Sequence, residues 1–251
     1  MSPQSTSARI VPIRKPNKTA KPAPVHPFDH VHKTDTGGLV PRSGLLTGHR
    51  SDAHITAYYA VAPSILDSLI DLWLGTNPAL PIDRYTFLDV GAGKGRAMLI
   101  AAQHPFSEVV GVELNPAMAA IARSNIRAFE NSAEASMLAP VSLLEGDALE
   151  VPLPDGPIVA FLFHPFEAPL LRRFLSRVEQ HCQDTSLDLI YVNAEHASVF
   201  DRKPAFRRVF HGMVPMSPED HRADLAEIAE QTEYGSTGDE LCVIYRLLRA
   251  E

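Results

Sequence analysis

An acid followed by three closely spaced glycines is the first feature of the sequence whose residue types could do chemistry. Asp89 precedes Gly91, Gly93 and Gly95 in the stretch Phe87-Leu-Asp-Val-Gly-Ala-Gly-Lys-Gly-Arg96. Glycines lack the Cβ atom that would keep a ligand away from the backbone. We therefore predict a ligand-binding loop between a strand and a helix, with a tight turn that binds nothing as the alternative.

The spacing of these glycines argues against the two common phosphate-binding loops. A dinucleotide loop, G-x-G-x-x-G, would have its third glycine at position 96, where this chain has Arg96. The nucleoside triphosphate loop, G-x-x-x-x-G-K-S/T, is absent from the sequence. A nicotinamide-dependent reductase stays open as an alternative, although Arg96 argues against it.

Two further acids follow the next two predicted strands. Glu113 ends the stretch Val109-Val-Gly-Val-Glu113, and a carboxylate at this point can accept both hydroxyls of a ribose. Asp147 follows Leu144-Glu-Gly, where its carboxylate could accept a hydrogen bond from the exocyclic amine of adenine. Either acid alone could be a capping residue, but together, at successive strand ends, they fit one nucleoside.

A histidine ends the fourth predicted strand, in the stretch Phe161-Leu-Phe-His-Pro-Phe166. His164 could accept a hydrogen bond from a nucleophile or act as a general base near neutral pH. The alternative is a strand-end histidine that is bonded only to a backbone carbonyl.

The elements that position these residues alternate between strand and helix. Apolar runs predict strands, and helical spacing of apolar residues predicts helices between them. This order is typical of an α/β fold with a Rossmann-like, seven-stranded, mostly parallel sheet, helices on both faces and an antiparallel edge strand. Ligands bind such sheets beyond the carboxyl ends of the strands. The predicted strands are 85–90, 108–114, 141–144, 157–163, 187–193, 206–211 and 241–248, and the predicted helices are 64–74, 96–103, 115–130, 170–182 and 195–200, with no helix between the last two strands.

These motifs, in this order, resemble those of class I S-adenosylmethionine-dependent methyltransferases, over roughly residues 56–251. The resemblance implies S-adenosyl-L-methionine as the cofactor and S-adenosyl-L-homocysteine as the product. It implies that the first loop holds the methionine part, Glu113 the ribose, and the residues after the third strand the adenine. The cofactor-binding residues that it implies are Asp89, Gly91, Ala92, Gly93, Gly95, Glu113, Leu114, Asp147, Ala148, His164 and Pro165.

The segment ahead of the first strand narrows the resemblance. Tyr58-Tyr-Ala-Val-Ala-Pro-Ser64 resembles a segment that closes over the cofactor in the Dot1-like histone lysine methyltransferases and in small protein-lysine methyltransferases. Asp35-Thr-Gly-Gly38 resembles a stretch in uncharacterised bacterial relatives. Since an amine acceptor must lose a proton before it attacks the methyl group, Tyr58, Tyr59 and His164 are the catalytic candidates.

The acceptor is predicted less sharply than the cofactor. The resemblance implies a nitrogen acceptor on a protein, lysine-like, or on a small molecule. N-methylating relatives often carry Asn or Asp at the position of His164, which puts the class of nucleophile in doubt. A protein that binds S-adenosylmethionine or S-adenosylhomocysteine without catalysis is therefore the alternative.

Composition sets the remaining expectations. The 251 residues include two cysteines, too few for a disulfide framework, and no apolar run of membrane-spanning length, so we predict a cytoplasmic protein that needs no membrane. The net charge is −7, although residues 1–33 carry six Lys or Arg and one Asp, and an acidic body argues against nucleic acid as a partner. We expect no metal site, since the nearby histidines His26, His30 and His32 lie beside a flexible tail. No feature predicts an oligomeric state.

Three regions follow from the pattern. We predict a disordered, basic, proline-rich tail over residues 1–30 and a cofactor lid with a substrate segment over residues 31–80. The methyltransferase catalytic domain then covers residues 81–251.

Overall fold

The computed structural model describes residues 25–133, 135–229 and 238–248. Its helices and strands follow the predicted alternation, and most boundaries lie within two residues of those predicted. The helices are α1 (Pro27–His32), α2 (Pro63–Gly75), α3 (Arg96–Ala101), α4 (Pro116–Glu130), α5 (Ala168–His181) and α6 (Pro218–Glu227). The strands are β1 (Thr86–Val90), β2 (Glu108–Glu113), β3 (Val141–Glu145), β4 (Ile158–Phe163), β5 (Leu187–Val192), β6 (Phe206–Pro215) and β7 (Asp239–Leu247).

The seven strands form one sheet in the order β3-β2-β1-β4-β5-β7-β6. The first five run parallel, and β7 pairs antiparallel with both β5 and β6. The predicted fold class is confirmed, with β6 and β7 as the antiparallel pair at one edge. Because the chain order reverses between β1 and β4, the carboxyl ends of these two strands border a crevice suited to a ligand.

Helices cover both faces of the sheet, each over its own apolar layer. Phe87, Val109 and Phe161 point to the face that packs against α2, α3 and α4. Leu88, Val110 and the other strand residues that alternate with them point to the opposite face, which α5 covers. Strands buried on both faces are therefore almost continuously apolar, as expected for a parallel sheet. In the part of the chain that the structure describes, no helix is long and apolar enough to cross a membrane.

The N-terminal prediction needs one correction. The predicted tail covered residues 1–30, of which residues 1–24 lie outside the described residues. Pro27–His32 form a helix in which Phe28 and Asp29 are buried, so the prediction of disorder is wrong for residues 27–30. The Phe28 ring packs at 6.2 Å from the ring of Phe129 on α4, and this contact fixes the segment on the domain.

Helix α6 is the second correction, because we predicted no helix between the last two strands. Ser217 caps it by accepting a hydrogen bond from the Asp220 backbone, and Pro218 begins it. The side chains that α6 buries are the acids Asp220 and Asp224, so its sequence carries no apolar period. The helix packs through charges and hydrogen bonds, which hydrophobic periodicity does not detect.

Candidate active site

A cavity lies at the carboxyl ends of β1, β2 and β4, where the sequence places its motifs. The N-terminal segment before α2 covers it. The predicted residues that line this cofactor cavity are Tyr58, Tyr59, Asp89, Gly91, Ala92, Gly93, Glu113, Leu114, Asp147, Ala148 and Pro165. Gly95 and His164 are not among its lining residues.

The glycine loop adopts the left-handed backbone that its sequence suggests. Gly91, Gly93 and Gly95 have φ of +80°, +55° and +91°, a region that side chains with a Cβ rarely enter. A Cβ on Gly91 would come within 2.8 Å of the Pro165 Cβ. The loop therefore needs glycine both for its conformation and for the close approach of its neighbours.

Asp89 is a buried carboxylate with an uncommitted oxygen. It is 3% exposed, and its Oδ2 has no hydrogen-bond partner among the described residues. Burial, together with the nearby charge of Glu113, raises the pKa of Asp89 to about 8. An unpaired buried carboxyl group is costly, and a bound ammonium group would supply the missing partner.

Glu113 is held in place by the backbone around it. Its carboxylate accepts hydrogen bonds from the backbone N–H groups of Gly93 and Asn115, each at 2.7 Å. Burial nevertheless raises the pKa of Glu113 above its ordinary value. Each carboxylate oxygen retains a lone pair, so that Glu113 can still accept hydroxyl groups from a ligand.

Asp147 is oriented by two partners. Its Oδ1 accepts from the Leu149 backbone at 2.8 Å, and its Oδ2 accepts from the Ser51 hydroxyl at 2.8 Å. Ser51 belongs to the N-terminal segment and lines the cofactor cavity, a role that the sequence analysis missed. The covering segment is thus hydrogen-bonded to the end of the cavity where adenine is expected.

The two candidate tyrosines occupy different positions. The ring of Tyr58 lies over Gly93, and its hydroxyl donates to the Thr36 carbonyl at 2.6 Å. Tyr59 instead has its hydroxyl near Asp224 of α6. Burial raises the pKa of both hydroxyls far above the ordinary tyrosine value, so both stay protonated at neutral pH.

His164 borders a second cavity rather than the first. This second cavity lies beside the cofactor cavity, and the two share wall residues, among them Tyr59 and Phe163. Asn193 and Glu195, which follow β5, also line the second cavity and were not predicted. Burial lowers the pKa of His164, although Glu195 opposes the shift, so the imidazole is mainly neutral near pH 7.

Arg96 is the most important residue that the sequence analysis did not assign to the site. It is 1% exposed and lines the cofactor cavity. Its Nε donates to the Thr36 hydroxyl at 2.7 Å, and its Nη2 lies 3.6 Å from Asp29 and 3.8 Å from Glu227. Arg96 thereby joins the glycine loop, the N-terminal segment and α6.

Asp29 organises the N-terminal segment around this arginine. Its carboxylate accepts hydrogen bonds from Thr34, Thr36 and Gly37. Burial would raise the pKa of Asp29, but the hydrogen bonds from the two threonines and the charge of Arg96 hold it below its ordinary value. These hydrogen bonds hold the stretch Asp35-Thr-Gly-Gly38 next to Arg96, at the end of the glycine loop.

The residues of the cofactor cavity fit S-adenosylmethionine. Asp89 offers an unpaired carboxylate oxygen to an ammonium group, and the backbone of the glycine loop leaves room that a Cβ would fill. Glu113 ends β2 and Asp147 follows β3, and both line the same cavity as further hydrogen-bond acceptors. Apolar side chains such as Leu114 and Met118 supply surfaces on which a base could pack.

Comparison with known proteins agrees with this fit. Residues 87–185 match the family model described as a methyltransferase domain. The solved structure of the [4+2]-cyclase SpnF is similar to this one, with a TM-score of 0.52, 14% identity, and coverage of 89% of this chain and 92% of that chain. Magnesium protoporphyrin IX methyltransferase (ChlM) from Synechocystis PCC 6803, with bound S-adenosylmethionine, gives a TM-score of 0.47 at 16% identity, with coverage of 75% and 79%.

No curated protein sequence matches the chain. The family match spans β1 to the end of α5 and contains the glycine loop, Glu113 and Asp147. Residues 87–185 therefore match a methyltransferase domain, and the cofactor is S-adenosylmethionine.

Proposed function

We propose that this protein transfers the methyl group of S-adenosylmethionine to a nitrogen acceptor, either a lysine-like side chain of a protein or a small-molecule amine. The observation that carries the proposal is the second cavity, which adjoins the cofactor cavity at Tyr59 and Phe163. A methyl group bound at the end of the first cavity would face an acceptor in the second.

The proposed chemistry makes modest demands on the protein. The bound sulfonium supplies an already activated methyl group, so the chain has to hold the acceptor in line at about 3–3.5 Å. We assign Asp89 to the ammonium group of the cofactor, Glu113 to the ribose and Asp147 to the adenine edge. His164 and Tyr59 face the acceptor, while Tyr58 closes the loop over Gly93.

The covering segment supports a relation to the lysine methyltransferases named above. Tyr58 lies over the glycine loop, and the segment that it resembles closes over the cofactor in that subgroup. Pro63 begins α2 shortly after it. We also propose a cytoplasmic location, which agrees with two free, buried cysteines, Cys182 and Cys242.

Calorimetric titration tests the cofactor assignment first. We expect S-adenosylmethionine and S-adenosylhomocysteine to bind and NADH not to bind. Asp89→Ala and Glu113→Ala should each weaken this binding by about 1–3 kcal/mol, the cost of losing a buried hydrogen-bond partner. Normal affinity in both variants would contradict the assignment.

A protein that binds the cofactor without methyl transfer is the second candidate. It is favoured by His164 at a position where N-methylating relatives often have Asn. The fold itself does not decide between the two, because the similar SpnF structure is described as a [4+2]-cyclase. Methylation of an acceptor in cell extract that is lost in His164→Ala, while cofactor binding persists, would exclude the second candidate.

A further inference from the structure

We propose that the second cavity binds the acceptor as an alkylammonium ion, with Glu195 facing its charge and the pair His164 and Asn193 holding its nitrogen. This inference rests on the proposed function, because it names the substrate class of the same site. It adds Asn193 and Glu195, two residues after β5 that the sequence analysis did not predict.

The walls of the second cavity suit an aliphatic stem. Leu39, Met213 and Leu241 contribute apolar surface, and Phe163 lies at the side shared with the cofactor cavity. Met213 and Leu241 are 56% and 36% exposed, so the apolar wall continues to the surface. An alkyl chain can pack along such a wall while its polar end reaches inward.

The charges that line this cavity favour a cation. Glu195 and Glu240 both line it, and no Lys or Arg of residues 25–133, 135–229 or 238–248 does. Glu195 is exposed, and its Oε1 lies 3.6 Å from Nδ1 of His164. Burial, with the charge of Asp224, raises the pKa of Glu240 to about 7, a cost that a bound cation would relieve.

His164 and Asn193 form a pair across two neighbouring strands. They directly follow Phe163 of β4 and Val192 of β5, which are register partners in the parallel sheet. Nδ2 of Asn193 lies 3.3 Å from Nδ1 of His164. Asn193 thus places an amide beside the imidazole of His164, just past the ends of two neighbouring strands.

Both residues of the pair have a left-handed backbone, which only a few per cent of non-glycine residues adopt. His164 has φ +41° and Asn193 has φ +47°. The Thr56 hydroxyl donates to the His164 carbonyl at 2.6 Å and so connects the covering segment to His164. Nε2 of His164 is buried and has no hydrogen-bond partner among the described residues.

The pair has chemistry that suits an amine. When the Asn193 amide donates to Nδ1, the neutral imidazole carries its proton on Nε2, and the amide carbonyl of Asn193 remains an acceptor for an amine N–H. The alkylammonium ion first loses one proton to water. Its nitrogen lone pair then forms a bond to the methyl carbon, the C–S bond breaks with its electrons left on sulfur, and the products are a methylated ammonium ion and a neutral thioether.

Binding of a simple probe tests the charge preference separately from catalysis. Full-length protein saturated with S-adenosylhomocysteine is titrated calorimetrically with n-hexylammonium chloride and, as the uncharged match, with 1-hexanol. We expect saturable binding of the ammonium ion, at least tenfold tighter than of the alcohol. Glu195→Gln should weaken ammonium binding about three- to fivefold, the effect of losing one partly exposed charge. The matched control Glu130→Gln, an exposed acid at the end of α4, should leave it unchanged.

Methyl transfer tests the pair of residues. Asn193→Gly removes the amide and tolerates the backbone at φ +47°, so we expect at least a tenfold lower rate of hexylamine methylation with unchanged S-adenosylhomocysteine affinity. Comparison of hexylamine with a lysine-containing peptide then distinguishes a free amine from a protein side chain as the source of the alkylammonium group.

The outcomes separate this inference from the proposed function. Equal affinity for 1-hexanol and hexylammonium, or unchanged ammonium binding in Glu195→Gln, would overturn the inference. Unchanged methylation by Asn193→Gly would overturn the role of the pair. Hexylammonium binding that depends on Glu195, without methylation of any amine, would support the site and overturn the proposed methyl transfer instead.

Discussion

Tyr58 lies so close to Gly93 that a Cβ atom on the glycine would come within 2.2 Å of ring carbon Cε2. The Tyr58 hydroxyl also donates to the Thr36 carbonyl, so the side chain is held both by the packing of its ring and by this hydrogen bond. The covering segment and the glycine loop therefore fit each other with no room for an added methyl group.

Gly93→Ala should destabilise the protein and weaken cofactor binding. A left-handed backbone costs an alanine about 1–2 kcal/mol, and the contact with Tyr58 adds to that cost. Gly156→Ala is the matched control, because Gly156 has φ +80° and a Cβ there would meet nothing within 4 Å among the described residues. Urea unfolding and titration with S-adenosylmethionine would measure both effects. Equal losses of stability in the two variants would show that the Tyr58 contact is unimportant.

Arg96→Met should be strongly destabilising. The change leaves the buried carboxylates of Asp29 and Glu227 without their cation, and breaking such a buried arrangement costs about 3–5 kcal/mol. Hydrogen exchange should show earlier opening of residues 34–38 than of the strands. Arg123→Met, which removes an exposed pair with Glu145, should change the free energy of unfolding by less than about 1 kcal/mol. An Arg96 variant as stable as the Arg123 variant would contradict this stabilising role of Arg96.

Asp89→Asn should stabilise the ligand-free protein relative to the wild type, by an amount that grows as the pH rises. The pKa of Asp89 is raised to about 8 in the folded protein and is near 4 in the unfolded chain, so the folded state holds one more proton between these values. The free energy of unfolding of the wild type therefore falls as the pH rises from about 4 to 8, and Asn removes this contribution.

Thermal unfolding of the two proteins between pH 5.5 and 8.5, without ligand, would measure this difference. Other raised carboxyl groups, such as Asp224, remain in both proteins, so only the difference between them reports on Asp89. Parallel stability curves would contradict the raised pKa.

Tyr58→Phe separates a positioning role from a chemical one. The variant keeps the ring over Gly93 and loses the hydrogen bond to Thr36, which should cost about 1 kcal/mol of stability. Because burial raises the pKa of this hydroxyl, we expect it to take no proton from an acceptor, and kcat at saturating S-adenosylmethionine should be unchanged. Tyr59→Phe is the comparison variant. A lower kcat in Tyr58→Phe than in Tyr59→Phe would instead support a catalytic role for Tyr58.

Much of the fold could be predicted because its signals are local. The apolar runs of the strands, the Asn115 cap and Pro116 at the start of α4 are each visible within a few residues. Parallel strands place their carboxyl ends at one edge of the sheet, so the acids at positions 89, 113 and 147 could be assigned to one cavity before the structure was known.

What only the tertiary structure decided depends on partners that are distant in the sequence. Helix α6 has no apolar period because it packs through buried acids, and its Glu227 meets Arg96 across 131 positions of the chain, between residue 96 and residue 227. Asn193 reaches His164 because β5 lies beside β4. Local sequence patterns determine which segments become strands and helices, whereas the pairing of buried charges and amides depends on how those elements are brought together, since each polar group needs a partner once water is excluded.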